Sequence, residues 1–285
     1  MTTAFMAAPV ERQYQSRVGH KLTFAGIVKS EWIKIRSLRS TWWCGLLMVV
    51  LPIGFTALLV PSVVGSFDGG VNLPVGDDGY AVSVANNGLF AIGEVIAIVL
   101  GALAVTNEFG SGSIRSTLAA VPRRGPVLAA KAIVVALVTA AFAVVGLAGS
   151  LAVSAGVIAA NGYTPQFGPD ALKMAVGVVF YLVVTALVGL GLGFCLRSSA
   201  GAIASGIGLY LILPNVMMIG ATKELVARAI ELLPSQAGEW ASRMTSMVNP
   251  EDPLLGGYWG AIACLAAWAA VALVGGYIVF KERDA

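Results

Sequence analysis

The sequence predicts an all-α integral membrane protein, and three observations carry that prediction. Of its 285 residues 58% are hydrophobic and only 12% charged, with a mean hydropathy of +0.85. A soluble domain would be about a quarter charged, so this much apolar surface calls for lipid as its solvent. Six separate runs, each about twenty residues long and nearly free of charge, match the length a helix needs to cross a bilayer. Finally, fourteen of the 18 Lys and Arg residues fall on one side of those runs, the asymmetry that orients membrane helices.

Residues 1–20 read as a disordered cytoplasmic tail, without the apolar core and small-residue cleavage site of a signal peptide. Residues 21–40 have helical periodicity. Phe24, Ile27, Val28, Trp32, Ile35 and Leu38 share one face, and Lys29, Ser30, Arg36 and Ser37 lie opposite, the pattern of an interfacial amphipathic helix. Ile33 falls on the polar face and Glu31 in the middle of the apolar one.

Residues 41–285 form the six-span domain, with spans expected at Trp42–Val64, Ala85–Val105, Val127–Ala160, Leu172–Leu196, Ala200–Gly220 and Tyr258–Phe280. Trp42 and Trp43 open the first at interfacial depth. Pro52 and Pro214 predict kinks, which membrane helices tolerate. The third run is longer than a bilayer needs, which puts Lys131 near the interface. In the fourth, Gly189 and Gly193 are four apart and predict close helix packing. The outer segment between spans five and six is long for a structureless loop. It carries a helix-like stretch, Thr222–Leu233, stopped by Pro234, and a stripe at Trp240, Met244, Met247 and Val248. The stripe suits either a lid or an interfacial helix.

With both termini in the cytoplasm, the basic side holds the two tails, the loop 107–126, the turn 197–199 and Lys131. The outer side holds Lys173, Lys223, Arg228 and Arg243 together with nine acids. A multi-pass protein of the cell membrane follows, with lipids around it and no nucleic-acid partner.

The sequence also limits the chemistry. No G-x-x-x-x-G-K-[ST] phosphate loop is present, so the chain does not hydrolyse ATP. Gly-x-Ser-x-Gly and H-E-x-x-H are missing too, and no catalytic residue is assigned. Cys44, Cys195 and Cys264 lie far apart and His20 is the single histidine, which argues against a metal site. No cofactor is expected on this chain.

The most informative segment is the loop from Asn107 to Pro126. It reads as a glycine-serine start, a short helix capped by Ser111 or Ser113, a stop at Pro122 and a basic restart. A helix held by two spans suits a lever on which a partner pushes. The plainer reading is a compact loop whose arginines obey the positive-inside rule.

Glu108, Phe109, Gly112, Ser113, Ile114, Arg115, Thr117, Leu118, Pro122, Arg123 and Arg124, followed by Lys131, resemble the second loop of ABC-2 type transporter permeases. Glu31-Trp32-Ile33-Lys34-Ile35-Arg36 is similar to that family's surface helix before the first span. The resemblance covers the chain from Lys21 onward and rests mostly on order and topology. It implies an exporter's membrane half, paired with a second permease copy or homologue. Separate ATPase subunits, carrying ATP and Mg, would dock on the loop helix. The coupling residues it implies are Glu31, Glu108, Gly112, Ser113, Ile114, Arg115, Leu118, Arg123 and Arg124. Ile114 and Leu118 would fill an apolar groove of the partner, and the arginines would meet its acidic or carbonyl groups.

Two acids stand out within apolar surroundings. Glu94 is the one acid within a span, where an unpaired charge costs about 2.5–3.5 kcal/mol or more. It is either a substrate or proton contact or a structural hydrogen bond, and one acid alone does not make a relay. Glu31 needs a basic partner, with Arg115 a candidate and Lys34, three residues on, the local alternative. Two rival functions are an ion-driven carrier and an immunity or anchor protein without transport. Against the carrier stand the scarce intramembrane charge and the lack of an inverted repeat.

Overall fold

A computed structural model describes residues 23–68, 80–165, 167–220, 223–243 and 254–282. The expected tail, and Met244, Met247 and Val248 of the outer stripe, lie outside the described residues. Among those described, about 89% are helical and none is in a strand. Six helices are long and apolar enough to cross a membrane: Arg39–Ser62, Ala81–Ser111, Arg124–Ala160, Ala171–Leu196, Ser199–Met218 and Tyr258–Glu282. Here they are spans one to six.

Spans two and four form the centre, with 67% and 61% of their most apolar windows buried, against 22% and 17% for spans five and six. Small residues cause this. A Cβ on Gly101 would fall 1.9 Å from the carbonyl oxygen of Ala186, and one on Gly189 would fall 2.6 Å from that of Ile98. Gly193 lies equally close to Val105. The two backbones therefore touch, the arrangement that small residues permit in lipid. Gly189 and Gly193 behave as expected, and Gly101 completes the contact from the other side. Gly191 brings span six in against Ala272.

Span one is helical straight through Pro52. Proline has no N–H, so the carbonyl of Met48 loses its helical donor. Gly146 of span three covers that oxygen; a Cβ there would stand 2.8 Å away. Gly88 of span two packs likewise on the Pro52 carbonyl. An uncovered carbonyl in lipid is costly, and the two glycines shield both oxygens with backbone.

Two features were not visible in the sequence. Span two contains a π-helical turn, Leu89–Gly93, and span five another, Gly208–Ile212. Such wide turns interrupt the regular ladder and re-aim the side chains beside them.

Four shorter helices do not span. Phe24–Ser37, the surface helix, is capped by Thr23, whose hydroxyl accepts from the Gly26 N–H at 3.2 Å. Its Ile27, Glu31 and Ile35 are buried on a line facing span three, while Phe24, Trp32 and Ile33 are exposed. The expected single stripe is thus split, and Glu31 belongs to its protein-facing half. The loop helix is Ser113–Ala120. At the opposite end lie Glu224–Glu231 and Pro234–Arg243. Pro234 was expected as a stop. It follows the end of the first helix but also opens the second, where a missing N–H costs nothing.

Candidate functional site

Four charged side chains meet at the end of the bundle that carries the surface helix. Lys131, about two turns into span three, has no solvent exposure. Its ammonium donates to Glu31 Oε2 at 2.6 Å, to Glu108 Oε1 at 2.8 Å and to the Ala104 carbonyl at 3.2 Å. All three of its protons are used. Lys34 donates to Glu31 Oε1 at 2.6 Å, to Thr117 Oγ1 at 3.0 Å and to Glu108 Oε1 at 3.3 Å. One ionic network therefore ties together the surface helix, the last turn of span two, the loop helix and span three. Burial pushes the Glu31 carboxyl up, but Lys131 and Lys34 outweigh it and hold the group below its ordinary 4.5. Burial also opposes the Lys34 charge, yet Glu31 and Glu108 prevail and hold the ammonium above its ordinary 10.5.

Beside this network the same end is closed by rings. Phe109, Phe194 and Phe280, from spans two, four and six, pack with centroids 4.9–6.4 Å apart. The Arg197 guanidinium sits 4.9 Å above Phe109 and that of Arg124 5.6 Å from Phe280, both within cation–π range. Arg197 adopts a left-handed backbone, φ 53°, at the end of span four. Arg124 also donates to the last carbonyls of span six, those of Phe280 and, at 3.1 Å, Lys281.

The loop helix differs from expectation in three ways. Neither Ser111 nor Ser113 caps it; Gly112 holds the N-cap position with φ 70°, a conformation that costs glycine little. Ile114 is only 2% exposed and packs inside this chain, so it cannot fill a partner's groove. Glu31 pairs with Lys131 and Lys34 rather than with Arg115. Arg115, Ser116, Ala119 and Arg123 are exposed, and Leu118 is half-buried. Arg124, expected to meet a partner, is turned onto span six. Next to the loop helix a groove of about 400 Å³ is lined by Phe24, Ile27, Val121, Pro122, Arg123 and Pro126.

A second polar cluster lies about 20 Å along span two from its other end, at 1.5 Å per residue. Glu94 directly follows the π turn and is 5% exposed. It accepts a hydrogen bond from the Tyr181 hydroxyl, so the acid faces protein as its cost in lipid requires. Phe90 stacks on Tyr181 at 4.9 Å and Tyr210 lies 6.1 Å from it. From the helix Pro234–Arg243, the Arg243 guanidinium sits 4.7 Å over Phe90 and pairs with Glu239 at 3.0 Å. Burial pushes the Glu239 carboxyl up and Arg243 pulls it partly back, leaving it above its ordinary value. Asn86 donates to the carbonyls of Met174, at 3.2 Å, and Ser242, at 2.6 Å.

A family model described as ABC-2 family transporter protein matches residues 25–285. The chain belongs to that family. No curated protein matches it significantly. Six apolar helices and membership of the ABC-2 family make it a multi-pass membrane protein and the permease domain of an ABC transporter. The ABC-2 permease is a transport component rather than a catalyst, and the family implies ABC ATPase partners in general.

The sequence reading missed half of each cluster in this ABC-2 chain. The sequence places Lys131 by depth, by side and by its position after the loop motif but gives it no partner, although a lysine two turns inside an apolar run needs acids, and Glu31 and Glu108 are at hand. Lys34 was a local alternative and Thr117 went unassigned. Tyr181 and Tyr210 are polar groups deep in spans, a signal that could have pointed to Glu94. Nothing local linked Arg243 to Phe90, which is 153 positions away.

Proposed function

We propose that this permease is the membrane half of an ATP-driven exporter. It works as a dimer in the cell membrane, with both termini cytoplasmic and separate ATPase subunits docked at its basic end. The observation that carries this reading is the Glu31–Lys131–Glu108–Lys34 network. A force on the surface helix or the loop helix reaches spans two and three through ionic hydrogen bonds rather than through a slack loop. Charge-assisted bonds are about twice as strong as neutral ones, and here they are largely dry.

ATP and Mg would be held by the partner, and no chemistry falls to this chain. The exposed side of the loop helix, Arg115, Ser116 and Ala119, with Leu118 at its edge and Arg123 beyond, offers the docking surface. The groove between Phe24 and Pro126 adjoins it. Ile114 and Glu108 act from inside by holding that surface in place, and Gly112 turns the chain into the loop helix.

The test is co-purification of the chain with its ATPase, read together with transport-linked ATP turnover in proteoliposomes. Leu118→Asp is expected to assemble and insert normally yet lose partner binding by tenfold or more, since a carboxylate in an apolar contact costs several kcal/mol. Leu225→Asp, on a residue 83% exposed at the opposite end, is the control. Normal coupling in Leu118→Asp would mean that energy enters elsewhere. Orientation is read separately, with single cysteines at Ser116 and Leu225 and an impermeant thiol reagent. Labelling of Ser116 from outside would reverse the topology.

A further inference from the structure

We infer that Glu94, Phe90, Tyr181 and Tyr210 form a binding site for hydrophobic organic cations, held closed in this state by the Arg243 guanidinium. This deepens the exporter reading and rests on it for its transport meaning, though not for its binding chemistry.

The site has the parts that recognise a cation out of water. Glu94 supplies one carboxylate, buried near the middle of span two and hydrogen-bonded by Tyr181 through one oxygen, Oε2. Three aromatic rings pack beside it, centred on its hydrogen-bond donor Tyr181. Phe90 and Tyr181 are nearly parallel, 15° apart, and Tyr210 leans on Tyr181 at 48°. Ring faces attract cations, most strongly when desolvated. The chain already demonstrates the preference, because its own guanidinium occupies the face of Phe90 at 4.7 Å and lies within electrostatic reach of Glu94.

Two further observations indicate that the arrangement is unfinished. Asn86 Oδ1, Ser235 Oγ, Trp240 Nε1 and Arg243 Nε are buried without a partner on this side of the molecule. Buried orphan polar atoms cost about 1–3 kcal/mol each, and a cluster of them marks a place where another arrangement satisfies more. In addition, both π turns abut this site, one carrying Phe90 and the other Tyr210. A helix that already departs from the regular ladder can shift by one residue at little further loss.

Arg243 is therefore a tethered cation in a cation site. A ligand bearing one delocalised or quaternary positive charge and apolar bulk would compete with it for Phe90 and Glu94. Displacement would remove one of the ties on the helix Pro234–Arg243, which the Asn86 bond to Ser242 and the close approach of Gly177 to the Ala241 carbonyl also hold. An anion of the same shape would meet the Glu94 carboxylate and be refused.

The experiment uses the full chain in nanodiscs of neutral phospholipid, with no ATPase present, so failure of the coupling reading leaves its outcome untouched. The probes are tetraphenylphosphonium and tetraphenylborate, nearly equal in shape and opposite in charge, measured by equilibrium dialysis and tryptophan quenching. The expected result is at least tenfold tighter binding of the cation, corrected for partition into protein-free nanodiscs. Glu94→Gln should lose that preference. Arg243→Gln combined with Glu239→Gln, which removes the Glu239 charge together with its partner and leaves Glu94 free for the ligand, should bind the cation at least threefold more tightly. That gain cannot arise from misfolding. Equal binding of the two ions by the unaltered chain overturns the proposal without any variant, and so does unchanged or weaker cation binding in the folded double variant.

Discussion

The two ends of this permease handle buried charge in opposite ways. At the basic end Lys131 spends every proton on an acceptor, and two lysines and two glutamates answer one another within 3.3 Å. Only Glu108 Oε2 is left over among those oxygens. In the other half of the bundle, Glu94 and Arg243 share rings and neighbours, and several hydroxyl, amide and ring N–H groups find no partner. A satisfied network is stiff, because each bond made elsewhere would have to break first. An unsatisfied one has alternatives of similar free energy. In the exporter proposed above, stiffness would lie where force enters and slack where a cation binds.

The comparison is broken most directly at Lys131. Lys131→Ala leaves Glu31 buried with one cation instead of two, and should destabilise the detergent-solubilised protein by about 3–5 kcal/mol, read as a fall in melting temperature by fluorescence-detected size exclusion. Combining Glu31→Gln with Lys131→Met should recover most of that loss, since removing both charges spares the desolvation of either. If Lys131→Ala melts with the unaltered protein, the network is ornamental. Almost as large an effect is expected in the shared centre. Gly101→Val would push two methyls and a Cβ into the Ala186 carbonyl and separate spans two and four, whereas Gly275→Ala, with open space around its Cβ, should change stability by less than about 1 kcal/mol. Equal effects at the two glycines would mean that the backbones do not rely on that contact.

Loss of the loop helix's inner anchor comes next. Ile114→Asp should fail at assembly, since the side chain is buried in this chain, while Leu118→Asp should assemble and fail only at the partner. Similar behaviour of the two would erase the distinction between inner and outer faces.

The smallest effect is on acid stability. Glu31 titrates below its ordinary 4.5 in the folded chain. Its contribution is therefore present above that value and lost as pH falls through the lower folded value, because the unfolded chain takes up the proton first. The Glu31→Gln, Lys131→Met variant should show a shallower decline below pH 4.5 than the unaltered protein. A steeper one would reverse the sign of the argument.

Much of the fold could be read from the residues because lipid permits few solutions. Each span lies within a few residues of its apolar run, and Gly189 and Gly193 pack as their spacing implied. The surface helix was found from its period, but its function within the bundle was not, since a wheel shows which face is apolar and not what covers it. Glu31 therefore looked like an exception when it is the residue that faces span three. Ile114 was misjudged for the same reason, because an apolar residue on a short exposed helix fits an inward or an outward partner equally. Nothing local marks the π turn at Leu89–Gly93, and Pro214, just after the one at Gly208–Ile212, predicts only a kink.

The bond from Arg124 to the carbonyls of Phe280 and Lys281 has a consequence in time. Arg124 begins span three, and its acceptors lie in the last described turn of span six, where carbonyls commonly lack an intrahelical donor. During synthesis Arg124 leaves the ribosome more than 150 residues before its partners, counting from the printed positions. Until then the ring trio of Phe109, Phe194 and Phe280 also lacks its third member. The basic end therefore closes only once span six is in place. A chain cut short before Tyr258 would present five apolar helices and an open polar seam.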